Sequence, residues 1–97
     1  MDEDAVEELF AIVIGTAQAH HQYQENILAG EYNTHWSDWY SDHMIKEGIN
    51  KLIDQDLKPA ELKQILLEFD KQYKEDNPNE EWPVYYTKQF LKKFATQ

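Results

Sequence analysis

The chain contains no cysteine. That absence removes disulfide frameworks, thiolate catalysis, cysteine-ligated zinc and iron–sulfur clusters together. Arginine is missing too: the nine basic residues are all lysines, against nineteen acidic ones, for a formal charge of -10. A surface of that sign repels phosphate backbones and lacks the best bidentate reader of bases, so no direct nucleic-acid binding is expected. Long apolar runs are absent as well. The longest, Leu9 to Ile14, falls far short of the roughly 20 residues that cross a bilayer. Met1-Asp2-Glu3-Asp4 is acidic where a secretory leader would be basic. The expectation is a cytoplasmic protein without a membrane span.

What is present is enough apolar material for one core. In 97 residues, 41% are hydrophobic and thirteen are aromatic, which offsets chain entropy without a disulfide or structural metal. A single domain, 1–97, follows from the length. No segment alternates with the period of a strand, and only three glycines and three prolines punctuate the chain. The fold class is therefore all-α, as a four-helix antiparallel bundle joined by short loops.

The first helix is expected from about 4 to 29 and as the most buried, with Val6, Leu9, Phe10, Val13, Ala17 and Tyr23 at helical spacing. Asp2, Glu3 and Asp4 suit the positive end of its dipole, and Gly30 suits a left-handed closing residue. Gly15, costly inside a helix, is read as a point of close approach by a neighbour. Glu31 to His35 is a polar connection. Trp36, Trp39, Tyr40, His43 and Met44 then trace one face of a second helix, and Gly48 either stops or kinks it before Ile49, Leu52 and Ile53. A third helix is expected over 59–75, opened by Pro59 and carrying the stripe Leu62, Ile65, Leu66, Phe69 and Tyr73. Asp76-Asn77-Pro78-Asn79 breaks it, and a fourth helix starts at Trp82-Pro83 with Tyr86, Phe90 and Phe94 inward.

Sliding the sequence against itself by 46 positions sets Trp36-Ser-Asp-Trp39-Tyr40 on Trp82-Pro-Val-Tyr85-Tyr86 without a gap. Met44, Ile45 and Lys46 then face Phe90, Leu91 and Lys92, Asn33 faces Asn79, and Tyr23 faces Phe69. Identity is four residues in the 28 from Ala19 to Lys46, so two readings stay open. One is a pair of pseudo-repeated helical hairpins, 5–50 and 51–97; the other is chance likeness between amphipathic hairpins. Each tryptophan can anchor its loop to its helix by folding on aromatics one turn later. Alternatively, the two aromatic clusters converge on one groove for a ligand or peptide.

The segment Ala19-His20-His21-Gln-Tyr23-Gln-Glu25, followed by Trp36-Ser-Asp-Trp39-Tyr40-Ser-Asp-His43-Met44, resembles a small uncharacterised bacterial helical module. In that module a histidine-containing helix precedes a W-P-x-W-Y-A-x-Y-M-like motif. The resemblance covers roughly residues 5 to 48 and departs from the pattern at Ser37 and Ser41. It implies a helical first half and no catalytic residue.

No serine elbow, reactive thiol or phosphate-cradling loop is present, so catalysis is not expected. His20, His21, Glu25 and His43, with His35, Asp38 and Asp42 nearby, invite a metal reading, since His21 and Glu25 share a helix face. The repeated Glu-x-x-His sets of di-iron bundles are missing. The expectation is a non-enzymatic, acidic protein-interaction module without a cofactor, engaging a protein partner, a basic one by charge, or itself. Its candidate contacts are Trp36, Trp39, Tyr40, Trp82 and Tyr85, because aromatics dominate binding hot spots. The alternative is a small-molecule or metal-binding bundle built on His20, His21, Glu25 and His43.

Overall fold

A computed structural model describes residues 3–30 and 34–94. Among them are five helices and no strand: α1 (Glu3–Asn26), α2 (Trp36–Lys46), α3 (Ile49–Leu52), α4 (Pro59–Asp76) and α5 (Trp82–Phe94). No helix of the described residues is long and apolar enough to cross a membrane. The placements expected for Asp2, Asn33 and the last three residues fall outside the described residues.

Each boundary has a local cause. The Glu61 carboxylate accepts the Lys58 backbone N–H at 2.9 Å and Pro59 supplies the preset first φ, so α4 starts where the sequence places it. Gly48 lies at φ 94, a left-handed conformation that stops α2 rather than kinking it, and α3 is a separate single turn. Asn50 then pins the run into α4: its side chain donates to the Leu57 carbonyl at 2.9 Å and accepts from the Leu57 N–H at 3.1 Å. At the end of α4, Asn77 takes the left-handed position at φ 46.

Three expectations need correction. α1 closes at Asn26, three residues early, because both Ala29 and Gly30 have positive φ and the chain turns back to the Tyr23 and Gln24 carbonyls. A methyl group at Gly15 would meet nothing within 4 Å, so this glycine marks no close approach. The most buried helix is α5 rather than α1. Five of its 13 residues are buried, against four of 24 in α1, where Phe10 points outward at 37% exposure.

The four long helices close a ring of contacts. α1 packs on α2 and α5, and α4 packs on the same two, while α3 leans on α1 and α2. Their shared core is Leu9, Val13, Met44, Ile49, Ile53, Leu62, Leu66 and Phe90, with Tyr40, Ile65, Phe69, Tyr85 and Tyr86 at its edge. Each such aliphatic side chain, fully buried, contributes about 1.5–3 kcal/mol. Two buried positions on α1 are polar, and both are accommodated. Thr16 donates its hydroxyl hydrogen to the Ile12 carbonyl at 2.7 Å, so its oxygen receives the Nδ1–H of His43 at 3.0 Å. His20 is buried among rings. No buried side-chain nitrogen or oxygen among the described residues lacks a hydrogen-bond partner.

Many positions of α2 and α5 that lie 46 apart have matching burial, although Asp38 is exposed where Val84 is half-buried and Trp39 is half-buried where Tyr85 is buried. Ser37 and Pro83, Tyr40 and Tyr86, Ser41 and Thr87, and Met44 and Phe90 are all buried; Trp36 and Trp82, His43 and Gln89, and Ile45 and Leu91 are all half-buried. The two tryptophans are the first residues of their helices. Ser41 donates to the carbonyl of Ser37, and Thr87 donates to the carbonyl of Pro83, the same bond at the same place in each half.

Candidate functional site

The aromatic clusters at the starts of α2 and α5 meet. Trp36 sits edge-on to Tyr40 at 5.4 Å between ring centroids, Tyr40 lies 5.7 Å from Trp82, and Trp82 lies 5.0 Å from Tyr86. These tilted and edge-to-face geometries are the ones aromatic quadrupoles favour. The four rings form the floor of an open groove of about 380 Å³. Its remaining walls are His20 and Gln24 from α1, and Asp70, Tyr73 and Lys74 from α4.

The groove has a hydrophobic floor and a polar rim. Tyr40 is tightly packed, and burial pushes its phenol up to about 12, so it is neutral at any physiological pH. His20 lies 4.9 Å from the Tyr40 ring and 5.2 Å from the Trp39 ring, and burial lowers its pKa below the ordinary 6.5. On the opposite wall the Lys74 ammonium is 3.0 Å from one Asp70 carboxylate oxygen, an i,i+4 pair on α4. The Tyr86 hydroxyl reaches toward the other at 3.5 Å, at the limit of a hydrogen bond.

No protein-family model, curated protein or solved structure matches this chain. The geometry of its own residues therefore carries the functional argument.

Of the candidate contacts, Trp36, Tyr40 and Trp82 line the groove. Trp39 stands beside it, stacked on His43 at 5.1 Å and 9° and packed 5.7 Å from Tyr23. Tyr85 is directed elsewhere. It is buried against Tyr73 at 5.3 Å and donates to the Asp76 carboxylate at 2.7 Å, while Tyr73 donates to the Glu80 carbonyl at 3.0 Å. These contacts close the loop between α4 and α5. All three tryptophans keep part of their surface in solvent.

The four residues of the metal alternative occupy different settings. His20 is buried in the aromatic wall and His43 bonds Thr16 under Trp39, whereas His21 and Glu25 are exposed on the outer side of α1. Among the described residues no three His, Cys, Asp or Glu side chains are grouped to hold a metal ion.

The groove residues that sequence reasoning did not select are Gln24, Asp70, Tyr73, Lys74 and Tyr86. Asp70 and Lys74 are an i,i+4 pair of opposite charge, a spacing that carries no signal of a groove. A signal did exist for part of the set: the shift of 46 pairs Gln24 with Asp70 and Tyr40 with Tyr86.

Proposed function

We propose that this protein is a non-enzymatic, acidic helical interaction module, and that a segment of a protein partner docks in the aromatic groove between its two halves. The observation that carries the reading is the convergence of Trp36, Tyr40, Trp82 and Tyr86 on one open groove, with both tryptophans half-exposed. Partly exposed tryptophan and tyrosine in a concave site are the usual anchors of protein recognition. The charge of -10 favours a basic partner and faster encounter with it. On this reading the chain is a four-helix bundle of two pseudo-repeated hairpins, and the groove lies between them. The matched burial, the matched hydroxyl-to-carbonyl bonds and the interchange of α1·α5 with α4·α2 contacts support that arrangement.

The test is to fill the groove without touching the core. Gln24→Trp places a large ring there from a half-exposed helix position. Proteins retained by the wild-type chain from its native cell should be lost on Gln24→Trp and kept on the exposed α1 control Glu7→Gln/Glu8→Gln. Retention by all variants alike sinks the groove reading.

A further inference from the structure

Resting on the groove reading above, we propose that the group taken into the groove is an arginine side chain of a basic partner segment, held between the aromatic rings with its guanidinium on Asp70.

Three observations converge on this class of ligand. First, two half-exposed tryptophans, Trp36 and Trp82, line the groove over the buried Tyr40 and Tyr86, and exposed indole attracts a cation through the ring quadrupole and covers its methylene stem. Second, Asp70 is the carboxylate among the groove's lining residues, and the Tyr86 hydroxyl reaches toward it. Third, the molecule already sets a cation there: Lys74, from the same wall, has its ammonium 3.0 Å from Asp70. The Lys74 side chain is 74% exposed, so this intramolecular pair is solvent-screened and readily exchanged. A guanidinium is flatter and more weakly hydrated than an ammonium, binds a carboxylate with two parallel hydrogen bonds and stacks on rings. It therefore displaces Lys74 rather than adding to it. His20 does not oppose this, because it is buried in the opposite wall and disfavours its own charge. The chain itself has no arginine, so the groove has no internal guanidinium to compete with the partner's.

The alternative chemistry, an anionic ligand read by Lys74, makes the opposite prediction at the same two residues. The experiment titrates the full chain with end-blocked glycine-rich peptides that differ at one central position: arginine, lysine, norleucine or glutamate. Binding is read from the indole N–H signals of Trp36 and Trp82. Affinity should fall in the order arginine, lysine, norleucine, with glutamate weakest. Asp70→Asn should weaken the arginine peptide by about ten-fold, the scale of one charge-assisted hydrogen bond. Lys74→Gln should strengthen it a few-fold by removing the internal competitor. Melting curves of both variants establish that they remain folded, and the Lys74 arm stands alone if Asp70→Asn does not fold. Unchanged binding on Asp70→Asn, or weaker arginine binding on Lys74→Gln, overturns the proposal. So does a preference for glutamate. If arginine and norleucine bind equally and both are lost on Gln24→Trp, the cation assignment falls while the groove reading stands.

Discussion

The two tryptophan-led helices, α2 and α5, solve one packing problem with different side chains. Both start on the tryptophan, both turn a tyrosine inward four residues later, and both bury a hydroxyl bonded to the carbonyl one turn back. Beneath them the partner helices differ. Where α1 has His20 and Gln24, α4 has Leu66 and Asp70. The difference teaches where constraint lies: Tyr40 and Tyr86 on the floor belong to the core and Trp36 and Trp82 pack against it, whereas the wall residues differ and give the groove its direction.

The largest effect that can break this comparison is at its deepest matched pair. Met44 and Phe90 are both 0% exposed. Phe90→Ala should cost about 3–5 kcal/mol and Met44→Ala about 2–5 kcal/mol, measured by urea unfolding. A near-neutral result at either position would mean that the two halves do not share one core.

Next come two tyrosines that are not a matched pair, Tyr40 on α2 and Tyr85 on α5, whose phenols are raised for different reasons. Tyr40 is held near 12 by burial; Tyr85 is pushed to about 12 first by donating its proton to Asp76, then by burial and the negative charges of Asp76, Glu80 and Glu75. Both phenols therefore favour the fold fully below the ordinary value of 10, and that contribution is lost as pH rises from 10 to about 12. In an absorbance titration Asp76→Asn should bring one late tyrosine back toward 10 and leave the other. Two late tyrosines persisting in that variant would contradict the assignment to Asp76.

A smaller, acid-side effect separates the walls. The folded His20 pKa lies below 6.5 because burial disfavours the imidazolium. Its contribution to stability is therefore present above 6.5 and is lost as pH falls toward the folded value, where the unfolded chain gains the proton more easily. His20→Leu copies the residue at position 66. Its loss of stability between about pH 7.5 and about pH 5 should be smaller than that of the wild type, read from urea midpoints. An equal loss would show that His20 does not titrate against burial.

How far this was legible in the sequence depends on how local each signal is. Pro59 and the stripe from Leu62 to Phe69 placed α4 to within one residue, since both signals lie inside the helix they define. The end of α1 is not legible, because Ala29, which carries no residue-type signal for it, adopts positive φ together with Gly30. Thr16 and His20 were invisible as core positions. A polar residue is buried only when its partners are supplied, and the Thr16 partner His43 is 27 residues away. The aromatic floor was readable as an alternative through the shift of 46, but the rim was not. Asp70 and Lys74 acquire meaning only once α4 packs against α2 and α5 and makes them part of the groove that Trp36 and Trp82 line.

The last and smallest test concerns the two interfaces that the shift of 46 sets against each other, α2 with α4 and α5 with α1. In the first, the Lys63 ammonium reaches Asp38 at 3.1 Å, with side-chain exposures of 35% and 51%. The corresponding positions in the second, 46 residues away, are Ala17 and Val84. An ion pair this exposed trades modest Coulomb attraction against the entropy of two ordered side chains, so its coupling should be below about 1 kcal/mol. Asp38 alone should matter slightly more than Lys63 alone, because it also sits in the first turn of α2, where a carboxylate favours the helix dipole. The double change Asp38→Val with Lys63→Ala gives these two positions the residues found at 84 and 17 and should leave the unfolding midpoint almost unmoved. A double-mutant cycle returning more than about 2 kcal/mol, well above the surface range, would mean that α2 is held to α4 by charge and α5 to α1 by packing, and the two interfaces would no longer be one solution used twice.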